Sequence, residues 1–335
     1  MLSCLSMSTR DAPRGQVRAA SHAGSWYSDD PGRLRAELDG YLAKAQLTAQ
    51  RGAKALICPH AGYRYAGPTA AWSFKNIPQA GVSRVFILGP SHHVHFRNTC
   101  ALPQGTTHYE TPFGPLILDQ GVLNDLRQAR GAQGEQLFVA LNNSQDEDEH
   151  SVEMQLPFLK MMMGEQNFTV VPVVVGSLSE GAEQAFGSVF APYFEDPATI
   201  FLISSDFCHW GSRFRYTHLP DDRDVAAAAG KLVNRPEAAP LNAKIETLDR
   251  QGMELIEAQD SPGFRRYLEN CQNTICGRNP IAILLEILRQ RPQMFPSCPQ
   301  LRCEFVHYSQ SQTMPTRPSA NDSCVSYAAG VIQVA

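Results

Sequence analysis

Two apolar runs in this 335-residue chain each stop at a histidine held in a Pro/Gly turn. Residues 53–57 lead into Cys58-Pro59-His60-Ala61-Gly62-Tyr63, and residues 84–88 lead into Gly89-Pro90-Ser91-His92-His93. Runs this short, bounded by turn residues, read as buried strands. A third run, residues 199–204, ends in Ser205-Asp206-Phe207-Cys208-His209-Trp210. In an open α/β sheet the loops at the carboxyl ends of neighbouring strands converge, and ligands and metals bind there. Three strand ends that deliver His or Asp therefore predict one site gathered from distant parts of the chain.

The text between these runs supplies helices. Asp29-Asp30-Pro31 is an acidic cap followed by a first-turn proline, and Leu34, Leu38 and Leu42 recur every four residues, which predicts a helix over 31–46. Further helices are expected over 68–75, 122–130, 149–163, 183–194, 252–257, 263–270 and 281–289. Residues 168–175, 302–308 and 325–334 read as strands, and 100–118 as short strands and turns. Residues 291–299 and 309–322 read as Pro/Ser/Gln loops, and the Ala- and charge-rich stretch 221–248 as a surface helix or insertion. Strand-loop-helix-strand order predicts a single α/β domain around a mixed, mostly parallel sheet flanked by helices.

Composition removes several function classes. A formal net charge of -4 gives no basic stripe for nucleic acid. No apolar run reaches the ~20 residues of a membrane helix. Residues 1–17 are too polar for a secretory core. Arg10, Arg14 and Arg18 among serines form a stretch too short and too weakly amphipathic for a mitochondrial presequence, so 1–17 is expected to be a disordered tail. Nine scattered cysteines, an odd number, fit free thiols in a reducing compartment: the cytoplasm, with the nucleus open to the same argument.

The candidate metal ligands are His60, His92, Asp206, His209 and Cys276, the last in Asn273-Thr274-Ile275-Cys276-Gly277-Arg278. Two imidazoles with an anionic donor suit a redox-active or Lewis-acid metal, and a thiolate favours Fe(II), Cu(I) or Zn(II) over Mg(II) or Ca(II). Competing readings stand beside each residue: Asp206 as a helix N-cap, and Cys276 as a buried structural thiol. His93 and His95 are left outside the ligand set. If the strand continues, Cys208 and His209 face opposite sides and form no dyad. His150 and Glu153 lie one helical turn apart in the acidic stretch 145–153. They could act as acid/base groups in the cleft, or the acids could simply complement the helix dipole. There is no Gly-x-Ser-x-Gly elbow, Walker loop or His-Glu-x-x-His motif.

Six segments together resemble the Memo family, the mediators of ErbB2-driven cell motility. They are Ser21-His22-Ala23-Gly24-Ser25-Trp26-Tyr27, Pro59-His60-Ala61-Gly62-Tyr63, Gly89-Pro90-Ser91-His92-His93, Glu147-Asp148-Glu149-His150-Ser151, Ser205-Asp206-Phe207-Cys208-His209-Trp210 and Asn273-Thr274-Ile275-Cys276-Gly277-Arg278. The resemblance implies a fold like that of class III extradiol dioxygenases, with a shallow pocket at the strand ends. It implies iron or copper, with zinc as a further option, on His60, His92 and Cys276. Asp206 and His209 match pocket residues, and His209 stands where the dioxygenases carry a base. The dioxygenases close their metal triad with a carboxylate; Cys276 at the matching position speaks against ring cleavage and for redox chemistry of the thiolate. Compared with the family pattern, about fifteen extra residues fall within 221–248.

Three functions follow as expectations. The first is a cytosolic iron- or copper-binding redox protein in metal and reactive-oxygen handling and motility signalling. The second is an adaptor that binds a phosphotyrosine-containing signalling protein in the same pocket, through Arg213, Arg215 and Arg278 with Trp26 and Tyr63. The third is a non-haem oxygenase or hydrolase with His209 or His150 as base.

Overall fold

The computed structural model describes residues 15–49, 52–78, 80–164, 166–221, 239–315, 319 and 321–335. In chain order the first half runs β1 (Gln16–Arg18), α1 (Pro31–Leu42), β2 (Ala55–Cys58), α2 (Tyr63–Phe74), β3 (Arg84–Pro90), β4 (Cys100–Pro103), β5 (Thr106–Tyr109), β6 (Leu116–Ile117), α3 (Gln120–Gln128) and β7 (Phe138–Leu141). Three short helices follow: α4 (Asn143–Asp148), α5 (His150–Glu153) and α6 (Leu156–Met163). Then come β8 (Thr169–Val175), α7 (Glu180–Glu195), β9 (Thr199–Ser204), β10 (His209–Gly211) and a 3-10 turn, Ser212–Phe214. The chain closes with α8 (Leu241–Glu257), α9 (Ser261–Cys271), α10 (Arg278–Met294), β11 (Leu301–Gln310) and β12 (Ser323–Val334).

The main sheet is mixed. Its centre is parallel, in the order β2-β9-β3-β8. Antiparallel pairings flank it: β12 with β2, β10 and β11 on one side, and β4 with β8 on the other, where β7 then adds in parallel. Every residue of β2 and β9 is buried, as expected of central strands covered on both faces. Helices α7 and α10 pack on each other and against β3 and β9, while α1, α2 and α6 pack together beside β2 and β12. A second sheet, β1-β5-β6, lies outside the sequence expectation. It includes residues 16 and 17, which were expected in the tail. The rest of that tail, through residue 14, lies outside the described residues, as do residues 222–238 of the expected insertion.

Several boundaries moved for physical reasons. Asp30 caps α1 as expected, its side chain accepting from the Arg33 N–H. Helix α2 starts at Tyr63, five residues early, and holds Pro68 internally. The donor missing at Pro68 would have served Arg64, which is exposed to water. The single helix expected over 149–163 is two, α5 and α6, parted at Met154 and Gln155, and extended Glu149 (φ -85°, ψ 121°) caps the first. Helix α10 runs past Pro292 to Met294 instead of yielding to a loop at 291. Residues 241–248 of that stretch open α8, with Leu241, Ile245 and Leu248 buried along one face. All eight cysteines among the described residues are free thiols.

Candidate functional site

Because β2, β9 and β3 are parallel neighbours, the loops at their carboxyl ends meet. His60 follows β2, His92 follows β3, and Asp206 follows β9. A third imidazole joins from α5: the ring centroids of His60, His92 and His150 lie 5.2, 5.4 and 4.4 Å apart. One ring nitrogen from each falls within 4.8 Å of the others. This close approach depends on Gly89, since a Cβ there would lie 2.4 Å from the Ser151 Oγ and push α5 off β3.

Hydrogen bonds fix two of the three rings. The Ser204 hydroxyl spends its only hydrogen on the Ser151 carbonyl at 2.7 Å, so it accepts from His60 Nδ1 at 2.7 Å. His60 Nε2 is thereby left with its lone pair. His92 Nδ1 faces Glu149 Oε1 at 2.9 Å, while the other Glu149 oxygen accepts the His92 backbone N–H at 2.5 Å. Burial alone would raise the Glu149 carboxyl, but its bonds to His92 hold it well below the usual range. Burial, followed by the neighbouring imidazole His92, drives His60 well below its ordinary value. Burial, then His60 and His92, lowers His150 to about 3. Both rings are therefore neutral at physiological pH, the form that binds a metal ion. A carboxylate behind one ligand and a hydroxyl behind another make a supporting shell of the kind metal sites use. The donors present fit a transition-metal ion.

Cys276 lies behind His60. Its Sγ is 3.1 Å from His60 Nε2 and accepts the Asp206 N–H at 3.1 Å. Burial, then the Asp206 charge, raises this thiol well above its ordinary value. It touches His60 but does not join the three-imidazole group. Gly277 lets the segment tuck in, since a Cβ there would sit 2.3 Å from the Ser205 Cβ. Asp206 caps no helix. Its Oδ1 accepts the backbone N–H of His60 at 2.8 Å and of Ala61 at 3.4 Å, which fixes the His60 loop, and burial raises its carboxyl.

His209 lines the cleft. Its Nδ1 faces two carbonyls, Phe207 at 2.9 Å and Thr274 at 3.2 Å, so the proton resides there and Nε2 carries the lone pair. Cys208 beside it is fully buried, in the segment between the end of β9 at Ser204 and the start of β10 at His209, so the strand does not continue through it. Buried Asp249 holds this segment through the N–H of Cys208 and the Asn273 amide on Oδ1, and the hydroxyls of Tyr308 and Ser326 on Oδ2. Burial raises its carboxyl to about 6. A raised folded value means the folded state keeps a proton that the unfolded state has lost, so stability falls as pH rises from about 4 to about 6. The two hydroxyls can reverse to accept from an amide, so Asp249→Asn should fold and should flatten this part of the profile. Urea midpoints of both proteins from pH 4 to pH 7 check it, and parallel profiles would refute the assignment.

The cleft above these groups has a volume of about 600 Å³ and is lined by His60, His92, His150, Asp206 and His209, with Trp26, Tyr65, Arg213 and Phe214 among the other lining residues. Trp26 packs against His150 in a tilted pair, ring centroids 4.4 Å apart, and Arg213 lies over the Phe214 ring at 4.5 Å. Three expected ligand-side residues are set apart from it. Tyr63 is buried in the core, its hydroxyl donating to the Met154 carbonyl at 2.8 Å, and Tyr65 faces the cleft in its place. Arg278 lines a different cavity, of about 430 Å³. Arg215 closes the 3-10 turn in a left-handed conformation (φ 56°) and does not line the cleft.

Sequence reasoning missed one residue of consequence. Arg18, only 1% exposed, donates to Glu153 Oε2 at 2.6 Å, to Asp146 Oδ1 at 3.2 Å, and to the carbonyls of Ala19, Asp146 and Glu149. Glu153, weighed above as an acid/base group, instead accepts from Arg18, Tyr27 and the His22 backbone, and pairs with the His22 ring beneath the cleft. The available signal was the density of acids in 145–153, since any of them that is buried demands a cation from elsewhere in the chain.

Residues 18–331 match a family model described as "Memo-like protein". A protein of Caenorhabditis elegans named "Protein memo-1 homolog" is 43% identical over 95% of this chain and 83% of its own length. "Protein MEMO1" of Xenopus laevis is 43% identical over 96% of this chain and 99% of its own length. "Protein MEMO1" of Homo sapiens is 40% identical over 95% and 97%.

Proposed function

Because this chain belongs to the Memo family, we propose that its cleft binds one transition-metal ion, iron(II) or copper(I), with zinc(II) as a competitor. His60 and His92 would hold the ion, with a third donor from His150 or Cys276. The observation that carries the reading is the convergence of three imidazole donors within 4.8 Å, two of them pinned at Nδ1. When bound, such an ion supplies one-electron or Lewis-acid chemistry. His209 Nε2 would take a proton from a group in the cleft, and Asp206 keeps the His60 loop in place for it. The role we infer is cytosolic handling of metal and reactive oxygen, tied to motility signalling by the family resemblance.

Anaerobic titration of reduced protein with Fe(II), Cu(I) and Zn(II), beside His60→Ala, tests this. Tight one-to-one binding in the wild type that His60→Ala abolishes supports the reading. Equal binding by both proteins would sink it. A second reading draws on the rim, where Trp26, Tyr65 and Arg213 offer aromatic faces and one guanidinium to a phosphotyrosine peptide. Under it, Arg213→Ala would abolish peptide binding in a metal-free protein, while His60→Ala would not.

A further inference from the structure

Several polar side chains at the cleft rim are spent on the protein itself. Ser311 Oγ accepts the Val325 N–H at 3.0 Å, Gln312 Nε2 donates to the Ser323 carbonyl at 2.6 Å, and Ser25 Oγ donates to the His22 carbonyl at 3.0 Å. Tyr327 is different. Strand β12 presents alternate residues, Ser323, Val325 and Tyr327, to the cleft, while Cys324 and Ser326 between them are buried. The Tyr327 side chain belongs to a residue only 2% exposed. Its hydroxyl has no hydrogen-bond partner among the described residues, where a buried phenol ordinarily finds one. Yet this oxygen is not sealed in protein, as the unpaired Trp210 Nε1 and Asn273 Oδ1 are. The little surface that Tyr327 exposes therefore includes the hydroxyl, which opens onto the cleft. Burial raises this phenol above its ordinary value, the nearby Asp206 charge adds to that, and the nearby Arg213 guanidinium opposes it. Arg213 also lines the cleft, is exposed, and makes no ion pair among the described residues. Trp26, Tyr65 and Phe214 set aromatic faces around the two.

We propose that the cleft rim holds the carboxylate of a small aromatic acid, which accepts from the Tyr327 hydroxyl and the Arg213 guanidinium while the ligand's ring lies against the aromatic wall. This rests on the reading of the cleft as the functional site, and not on the ion. The free donors fix the kind of group. A carboxylate brings one charge and two acceptor oxygens, which one guanidinium fork and one hydroxyl meet. A phosphate monoester brings close to two charges and three acceptor oxygens, and the Asp206 carboxyl in the same cleft sets a negative charge against it. Asp206 Oδ1 is already spent on the N–H groups of His60 and Ala61, so the anion belongs at the β12 wall and not on the cleft floor.

Isothermal titration of the metal-free protein, kept in chelator, tests this with phenylacetate alone and, in parallel runs, with phenyl phosphate alone. Phenylacetate should bind the wild type one-to-one and more tightly than phenyl phosphate. Tyr327→Phe keeps the ring and removes only the hydroxyl. It should weaken phenylacetate about tenfold, the worth of one hydrogen bond to a charged acceptor. Arg213→Gln should weaken it at least as much, and Arg278→Gln, in the separate cavity, should leave it unchanged. Thermal melts verify that the variants fold. Equal affinity of the wild type and folded Tyr327→Phe would overturn the assignment. So would tighter binding of phenyl phosphate, or no binding of phenylacetate to the wild type. Each of these results leaves the metal reading standing, because no ion is present in the titration.

Discussion

Arg18→Met should lower the stability of this protein by about 3–5 kcal/mol, the cost of removing one partner from a buried ion pair. Its guanidinium bonds two carboxylates and three backbone carbonyls while almost fully buried. Methionine fills much of the volume but leaves the buried Glu153 and Asp146 carboxylates without their guanidinium partner. Lysine should not rescue it, because a single ammonium cannot span acceptors on α4, α5 and the turn at Glu149. The pH dependence identifies the cause. Burial pushes the Glu153 carboxyl up, but the His22 hydrogen bond and the Arg18 charge outweigh this and hold it at about 2. A depressed carboxylate contributes stability above its unfolded value near 4.5 and loses it as pH falls through the folded value. The gap between wild type and Arg18→Met should thus be full at pH 7 and narrow steadily below about 4.5. Denaturant midpoints from pH 7 to pH 3 measure it. A gap that stays constant with pH would mean lost packing, not lost charge pairing.

The second large effect is expected at Glu149. Glu149→Gln should weaken metal binding by about 10–100-fold, the range seen when a ligand's supporting carboxylate is removed. One carboxylate here accepts three N–H groups: the backbone and Nδ1 of His92 and the backbone of Ser151. A glutamine amide has one acceptor oxygen, so its NH2 must confront one of those donors. With the oxygen in the place of Oε1, His92 loses its backbone anchor; with the oxygen in the place of Oε2, His92 loses its Nδ1 partner and α5 loses its cap at Ser151. A competition titration with a zinc-chelating dye, read beside a thermal melt, checks this. An unchanged dissociation constant in a folded variant would show that Glu149 does not position His92.

Much of the site was legible because strand ends announce themselves. An apolar run that stops at Pro59-His60 or Pro90-Ser91-His92 fixes both the element and the end of the sheet at which the histidine sits. The parallel core then forces the two loops together. Orientation was less readable. Glu149–His150 sat in helix-forming text, yet Glu149 is extended, caps the Ser151 N–H and turns its carboxylate to His92. Arg18 carried the marks of a basic N-terminal stretch, since its two partners lie 128 and 135 positions away. Arg215 and Arg278 sit within a few residues of cleft-facing groups, yet a left-handed turn and the start of α10 carry them elsewhere. Sequence neighbourhood predicts which loop a residue is on, not which way its side chain leaves.

The contact of Trp26 with His150, a tilted pair of rings, gives this chain its own optical reporter. An indole in van der Waals contact with an imidazole transfers excitation to it most readily when the imidazole is protonated or carries an open-shell ion. The other two tryptophans sit elsewhere: Trp72 is stacked on His307, and Trp210 is buried. Emission that responds at Trp26 alone would therefore follow events at the cleft mouth in real time, with no label attached and no chemistry required.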